Sequence, residues 1–465
     1  MSVPVVTVAQ MRGWEDASWS AGRDINEVMR LAGAAVAQQA MVMTNKEDVI
    51  LLLAGRGNNG GDTRLAAEQI KGRKVALVEV SGQNCLSEIQ KLLDGGPALV
   101  VDGLFGIGLN RELVGDWAEL VEAVNASGST VLAVDTPSGL NADTGEPMGV
   151  AVRADVTITF GSPKLGLIEN HAADFVGRLE VAADVGLIQC SEQTGLNWLL
   201  PGDFEGFPPT RPVNSHKGTF GHLGIIAGSM GFHGSAVLAA RAAQRAQPGL
   251  ITLITPKNIY RPVASQLRSQ MVYPWTVDSI GRLAKCTALL AGPGLADEEL
   301  PKGLRNEIIR LWCEDERPMV LDASALDWLK PMKKTGDRTR VITPHPGEAG
   351  RLLGVSSDAL QAGRCAALRK LASRYDCHVV LKGAHTLIGE SVGDIYINSS
   401  GNPYLAQGGS GDVLSGFIGG WLAQPWTHAA PMLALTYSVW RHGRSADWMS
   451  SHAKGWGMDE LVAAL

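Results

Sequence analysis

Short β-branched runs, each closing on Gly, Asp or a polar turn and separated by segments of helical periodicity, recur along the whole chain and leave few folds open to it. In the first half they are "VILLLAG" (49–55), "KVALVEV" (74–80), "ALVVDG" (98–103), "TVLAVD" (130–135) and "DVTITF" (155–160). In the second half they are "HLGIIAG" (222–228), "LITLIT" (250–255), "ALLAGPG" (288–294), "MVLDAS" (319–324), "RVITPHPGE" (340–348) and "HVVLKGAHT" (378–386). Helical patterns such as "SAVLAARAAQRAQ", from Ser235, fall between several of them. Near-continuous apolar runs of this length suit buried parallel strands covered on both faces by helices. The alternation predicts an α/β architecture with mostly parallel sheets. Ligands of such sheets bind beyond the carboxyl ends of the strands, where the unusual residues of this chain cluster.

A chain of 465 residues is too long for one ordinary core. After residue 191 the periodicity lapses into "SEQTGLNWLLPGDFEGFPPTRPVNSHKG", rich in Pro and Gly, so the boundary is expected near 200–212, with domains 1–205 and 206–465. No run of about 18 uncharged apolar residues is present, which argues against a membrane span. The opening "MSVPVVTVAQMRGWEDASW" lacks a basic segment followed by an apolar one, so a cytoplasmic protein is expected. The net charge of −6 comes with interspersed signs and no basic block, which excludes nucleic acid as a natural partner. Cys85, Cys190, Cys286, Cys313, Cys365 and Cys377 show no C-x-x-C spacing and are expected as buried, reduced thiols.

The stretch "AQGGSGDVLSG" (406–416) puts small residues ahead of Asp412 at the start of a helical pattern. Glycines let the backbone approach an anion, and a helix start offers free amides and a positive dipole end. A phosphate cradle is one reading and a simple helix cap with Asp412 is the other. "GNNGGD" (57–62), directly after a strand, is a second turn suited to pyrophosphate. Taken singly, His345 in "TPHPGE" reads as a turn histidine, Gly294 as a turn glycine, and Asp102 and Asp135 as strand-end caps. Trp312, Trp328, Trp421, Trp440 and Trp448 lie in helical patterns and read as core or interface.

In combination these motifs carry more. "NSHKGTFGHL" (214–223), "GPG" (292–294), "TPHPGE" (343–348), "LKGAHT" (381–386) and "GGSGDVL" (408–414), in this order from about Arg211 onward, resemble the ribokinase-like NAD(P)H-hydrate dehydratase family. "MRLAGAAVA" (29–37), "GRGNNGGD" (55–62), "VDGLFGIGLNR" (101–111) and "VDTPSGLNADTG" (134–145) are similar to the NAD(P)H-hydrate epimerase family, a Rossmann-like three-layer domain. The whole chain thus resembles the bifunctional family that repairs hydrated nicotinamide nucleotides.

The resemblance implies epimerisation of the R and S hydrates of NADH and NADPH (NADHX and NADPHX), and dehydration of the S form driven by ADP, or by ATP, with release of AMP and phosphate from ADP. It implies Asp412 as catalytic base, with Lys382, Gly383, Ala384, His385, Thr386 and Gly411 on the nucleotide, and Ala236, Gly294, His345 and Asp412 around the hydrate. His385 stands where many relatives have Gly. In the first half it implies Asn58, Asn59, Gly60, Gly61, Asp62, Gly106, Ile107, Gly108, Leu109, Asn110, Arg111, Glu112 and Asp135 as substrate contacts. Asp135 would be the acid or base of epimerisation. Asn59, Asp102 and Ser138 match a potassium site, and magnesium is expected with the nucleotide. Beyond these small molecules, the expected partner is a further copy of the chain in a homo-oligomer.

Thr63 replaces a glycine of the family pattern, before a helix that reads as shorter than in relatives. If that turn requires glycine's backbone freedom, the first half would be a regulatory or dimerisation module rather than an enzyme. A ribokinase-like kinase for a small vitamin or sugar is the other alternative, and it predicts a phosphorylated product.

Overall fold

The computed structural model describes residues 2–81, 85–296, 298, 300–332, 338–453 and 455–465. It divides into two units, Ser2–Trp198 and Leu199–Leu465. The division precedes the boundary expected at 205 because Leu199 and Phe204 are buried in the core of the second unit.

In the first unit the strands are β1 (Val49–Ala54), β2 (Lys74–Glu79), β3 (Leu99–Gly103), β4 (Thr130–Val134), β5 (Val156–Phe160) and β6 (Arg178–Ala182). They form a sheet in the order β2-β1-β3-β4-β5-β6, every pair parallel. Successive side chains of a strand point to opposite faces, so a continuous apolar run feeds two cores. Ile50 and Leu52 of β1 pack with Val36 and Ala40 of the helix Ile25–Met43, while Leu51 and Leu53 pack with Ile89 of the helix Leu86–Asp94 and Val121 of the helix Asp116–Ala126. Each such leucine taken fully out of water contributes roughly 1.5–3 kcal/mol. Three layers follow. The run "KVALVEV" is a correction to the expected buried strand: β2 lies at the sheet edge, with Val75 39% and Leu77 40% exposed.

The second unit carries β7 (His222–Ile226), β8 (Leu250–Thr255), β9 (Met271–Pro274), β10 (Ala288–Ala291), β11 (Met319–Leu321), β12 (Arg340–Ile342), β13 (His378–Leu381), β14 (Leu387–Gly389) and β15 (Ile395–Ile397). Their order is β15-β14-β13-β12-β11-β10-β7-β8-β9. The pairings from β13 to β9 are parallel, and β13-β14 and β14-β15 are antiparallel. The short strands β6, β9, β14 and β15 have no counterpart among the runs picked out in the sequence. On this sheet the helices His233–Arg245 and Ser410–Leu422 meet unusually closely, because Gly416 and Gly420 lie on the backbone of Ala239 and Ala243.

Trp312 and Trp421 are buried as expected, Trp440 packs at the core's margin, and Trp448 is exposed and stacked on His452. All six cysteines are free, but only Cys286 and Cys377 are buried; the others are half-buried. Among the described residues no helix is long and apolar enough to cross a membrane.

Candidate active sites

In the first unit the chain leaves β1 through Gly55 and enters the helix Asn58–Gln69 behind Gly57. Two positions of this turn admit only glycine: a Cβ on Gly55 would lie 2.1 Å from the Leu104 carbonyl oxygen, and one on Gly60 would lie 1.9 Å from that of Gly55. The residues Asn58 to Asp62 form the opening turn. Gly61 N donates to Gly57 O at 3.1 Å, which leaves the amides of residues 58–60 as the free donors of a helix start.

Thr63 is an ordinary helical residue, since no residue of this helix has a positive φ. Its buried hydroxyl donates to Asn59 O at 2.8 Å and fills the space beside Gly103, where a Cβ would come within 1.8 Å of Oγ1. Glycine's freedom is therefore not needed at position 63.

Around this turn the polar groups converge. Asp102, wholly buried at the end of β3, accepts at Oδ2 from Ser138 N (2.8 Å) and at Oδ1 from Ser138 Oγ (2.6 Å) and Leu104 N (3.3 Å). Burial pushes its carboxyl up to about 6 against those three bonds. Asn59 is buried with neither Oδ1 nor Nδ2 partnered. Asp62 is buried too, its Oδ1 unpartnered, and burial together with the charges of Asp135 and Glu15 pushes its carboxyl up to about 8.

Asp135 follows β4 with φ of 63°, a left-handed conformation that an aspartate adopts only where surrounding structure enforces it. Its Oδ1 accepts from Lys164 Nζ at 2.7 Å and Thr159 Oγ1 at 3.1 Å. A Cβ on Gly106 would stand 3.2 Å from Asp135 Oδ2 and 3.4 Å from Asn59 Cγ, so Gly106 keeps the space between them open. Ile107 packs against the cluster of Val6, Met11 and Trp14, and Leu109 is half-buried against the opposite core. Gly108, Asn110, Arg111 and Glu112 are exposed. Asn59, Asp62, Asp102, Gly106, Asp135 and Ser138 are thus brought together, while Ile107 and Leu109 turn to the cores and the other four residues of the 107–112 stretch face solvent. Lys164 and Glu15 were not among the expected residues; a lysine inside the apolar run "SPKLGLI", directly after β5, was the available signal.

In the second unit Gly409, with φ of 95°, caps the helix Ser410–Leu422, whose first turn holds Gly411 and Asp412. A Cβ on Gly411 would lie 3.1 Å from Lys382 Nζ. Lys382 follows β13, donates to Asp322 Oδ1 at 3.0 Å and lies 3.9 Å from Glu348 Oε2. Burial alone would lower its pKa, but Asp322 and Glu348 outweigh burial and hold it above the ordinary lysine value. Burial pushes the Asp412 carboxyl up to about 6; a Ser235 hydrogen bond and Lys382 work the other way, while Asp322 and Glu348 add to the rise.

Gly294, with φ of 65°, sets its turn against Phe232 and Ser235, and its carbonyl accepts from Ser229 Oγ at 2.6 Å. Ala236 is fully buried against Gly228, so it offers no side-chain surface; the neighbouring Ser235 hydroxyl meets Asp412. His345 is a helix cap, its Nδ1 accepting from Gly347 N at 3.0 Å while its own amide donates to Glu348 Oε2 at 2.8 Å. Gly383 and Ala384 are exposed, and Thr386 is buried with Oγ1 donating to Gly383 O at 3.0 Å. His385 has φ of 51°, and burial, helped by Arg364, pushes its imidazole down to about 4. A left-handed residue is where glycine is most at ease, so the glycine that the family resemblance implies here would also fit this backbone. Arg364 donates to Ala384 O (2.5 Å) and Leu381 O (3.3 Å) and so ties the loop from behind. Asp322, Glu348, Ser235 and Arg364 complete this site, and none of them was expected from the sequence.

Residues 223–463 match the family NAD(P)H-hydrate dehydratase, and residues 25–94 and 78–166 match the family YjeF-related protein N-terminus. The chain is similar to the bifunctional NAD(P)H-hydrate repair enzyme Nnr of Coxiella burnetii, at 34% identity over 94% of this chain and 93% of the relative. It is similar to the Escherichia coli protein of the same name at 33% identity over 96% and 90%. A solved ribokinase-like superfamily protein from Enterococcus faecalis, 24% identical, superposes on 60% of this chain and 96% of its own with a TM-score of 0.51, which shows the fold of the second unit.

Proposed function

The chain belongs to the bifunctional NAD(P)H-hydrate repair enzyme family, and from that premise we propose which residues carry its two reactions. It is an NAD(P)H-hydrate epimerase joined to an ADP/ATP-dependent NAD(P)H-hydrate dehydratase.

For dehydration, a hydroxyl is a poor leaving group and a phosphate ester is a good one. Asp412 takes the proton of the hydrate's hydroxyl as that oxygen attacks the terminal phosphoryl group of the nucleotide; the ring-nitrogen lone pair then expels the ester as phosphate, and the adjacent ring carbon gives up a proton to solvent to form the 5,6 double bond. With ADP as donor the other product is AMP. The amides at the start of the helix Ser410–Leu422 and the Lys382 ammonium receive the charge on the transferring group. The observation that carries this reading is Asp412 at that helix start, sharing one cluster with Lys382, Ser235 and the buried Asp322. Gly383, Ala384, His385, Thr386 and Gly411 line the nucleotide's path, and Gly294, His345 and the main chain at Ala236 line the hydrate's. Magnesium would travel on the nucleotide's phosphates, with the Asp322 and Glu348 carboxylates nearest to it.

For epimerisation, the inverting carbon bears the hydroxyl and adjoins the ring nitrogen. Protonated Asp62 gives its proton to the departing hydroxyl, the nitrogen lone pair closes a C=N bond, and Asp135 takes a proton from the water that returns on the other face. Solvent exchange restores both groups. A potassium ion fits Asn59, Asp102 and Ser138, because Asn59 Oδ1 is a buried acceptor without a partner and Asp102 is a wholly buried carboxyl. The ion would supply positive charge that favours the ionised form of Asp102. Arg111, exposed on the 106–112 loop, suits the substrate's phosphates. A homo-oligomer is our reading of the exposed Trp426, Leu433 and Trp448.

The test is recovery of reduced-nicotinamide absorbance from mixed R and S NADH hydrate with ADP and, in parallel, ATP. Complete recovery is expected. A plateau once the S form is consumed would sink the epimerase assignment, and a phosphorylated product without recovery would point to a small-molecule kinase.

A further inference from the structure

Resting on the reading of Asp135 as an acid–base group, we propose that Lys164 is a positioning residue for epimerisation: its ammonium holds one carboxylate oxygen of Asp135 so that the other alone meets the hydrate.

A lysine ammonium sealed from water is unfavourable unless its donors are matched, so its presence asks for a reason. The Lys164 side chain is 1% exposed. Its three donors are used completely, by Asp135 Oδ1 at 2.7 Å, Thr159 Oγ1 at 2.8 Å and Phe160 O at 3.3 Å. The backbone beneath it is pinned on both sides by Val6, which donates to Pro163 O at 3.1 Å and accepts from Leu165 N at 2.9 Å. Asp135 is fixed with equal care: its amide donates to Ile158 O at 2.7 Å, and its φ of 63° turns the side chain off the strand end. Both partners therefore hang from β5 and its continuation.

The two carboxylate oxygens are then unequal. Oδ1 is taken by Lys164 and Thr159, while Oδ2 has no hydrogen bond among the described residues and looks across Gly106 toward Asn59. Asp62, the opposing acid, lies close enough to Asp135 to feel its charge. Inversion at one carbon needs donor and acceptor on opposite faces, so an acceptor free to rotate would waste most of its orientations. The ion pair removes that freedom, and Thr159 braces both members.

The test uses the full chain and follows consumption of the R hydrate, with urea unfolding of the same preparation as the control on folding of the first unit and dehydration of pure S hydrate as the control on the second. Lys164→Met should lower epimerase kcat about 100-fold, the scale of a misplacement of roughly 1 Å, and leave KM within about threefold. Lys164→Ala should regain part of its rate with added ethylammonium. Asp135→Asn combined with Lys164→Met should be no slower than Asp135→Asn alone, because the lysine acts only through that carboxylate. Wild-type kcat in Lys164→Met beside an inactive Asp135→Asn overturns the proposal and leaves the Asp135 reading standing; an active Asp135→Asn overturns that reading instead. Should Lys164→Met fail to fold, Lys164→Arg carries the test, since it keeps the charge but its wider guanidinium shifts the carboxylate. Wild-type kcat in that folded variant would also refute the positioning role.

Discussion

Adding a single methyl group at Gly416 should disable dehydration without touching epimerisation. The Cβ of Gly416→Ala would lie 2.2 Å from the Ala239 carbonyl oxygen and 2.7 Å from its Cα. Carbon–oxygen contacts settle near about 3.3 Å, so the helices Ser410–Leu422 and His233–Arg245 must part by roughly 1 Å. Overpacking of this kind costs about 1–3 kcal/mol. The same displacement reaches the chemistry, because Asp412 lies one turn before Gly416 and its partner Ser235 lies one turn before Ala239. A shift of that size lowers a well-aligned rate by about 100-fold. Steady-state turnover of S hydrate with ADP measures it, with R-to-S conversion and thermal unfolding followed on the same preparation. Since the clash is with backbone, Ala239→Gly should not rescue it. Full dehydratase kcat with an unchanged melting temperature would show that these helices do not set the position of Asp412.

Asp412→Asn should abolish dehydration and spare epimerisation, which assays on pure R and S hydrates distinguish. Asp62 carries a pH signature: its folded carboxyl is raised from 3.8 to about 8, so the unfolded chain releases the proton first. The contribution of Asp62 to the stability of the first unit is then most favourable below about pH 4, falls as pH rises toward 8 and levels beyond it. Asp62→Asn should flatten that slope and stabilise the unit at pH 7 by at most about 4 kcal/mol, less whatever water entry relieves, while it slows epimerisation; urea unfolding at pH 5 and pH 8 checks both the sign and the size. Thr63→Gly should destabilise the first unit by roughly 2 kcal/mol, from lost packing and glycine's helix penalty, and should not raise epimerase activity, as urea midpoints and R-hydrate assays will show.

The strands that build both sheets were legible because a strand buried on two faces has to be apolar without interruption, as "VILLLAG" and "LITLIT" are. β2 misled because its apolar run, Val75 to Val78, sits at an edge, where exposure is set by the absence of a neighbour and not by composition. β14 and β15 are too short for a period to declare itself. At the sites, the glycine turns and the strand-end aspartates announced themselves through local geometry. Lys164, Asp322 and Arg364 did not, because each acts through a partner 17 to 60 residues away: Asp135, Lys382 and the carbonyls of Leu381 and Ala384. Such pairs exist only once the sheet has set strand neighbours. His345 shows the converse, since its local role as a cap was readable and the structure keeps it in that role.

Arg364 also bears on how fast the second unit can take up its nucleotide. With its guanidinium already bonded to the carbonyls of Leu381 and Ala384, the 381–386 segment is held in one shape before a ligand arrives. Freezing a mobile backbone on encounter would take about 1–2 kcal/mol per residue out of the affinity, and that penalty has been met during folding instead. Uptake should therefore follow a single bimolecular phase whose rate rises linearly with nucleotide concentration, with no slow isomerisation behind it. Arg364→Met should convert that trace into one that saturates, as the loop begins to fold around each arriving molecule.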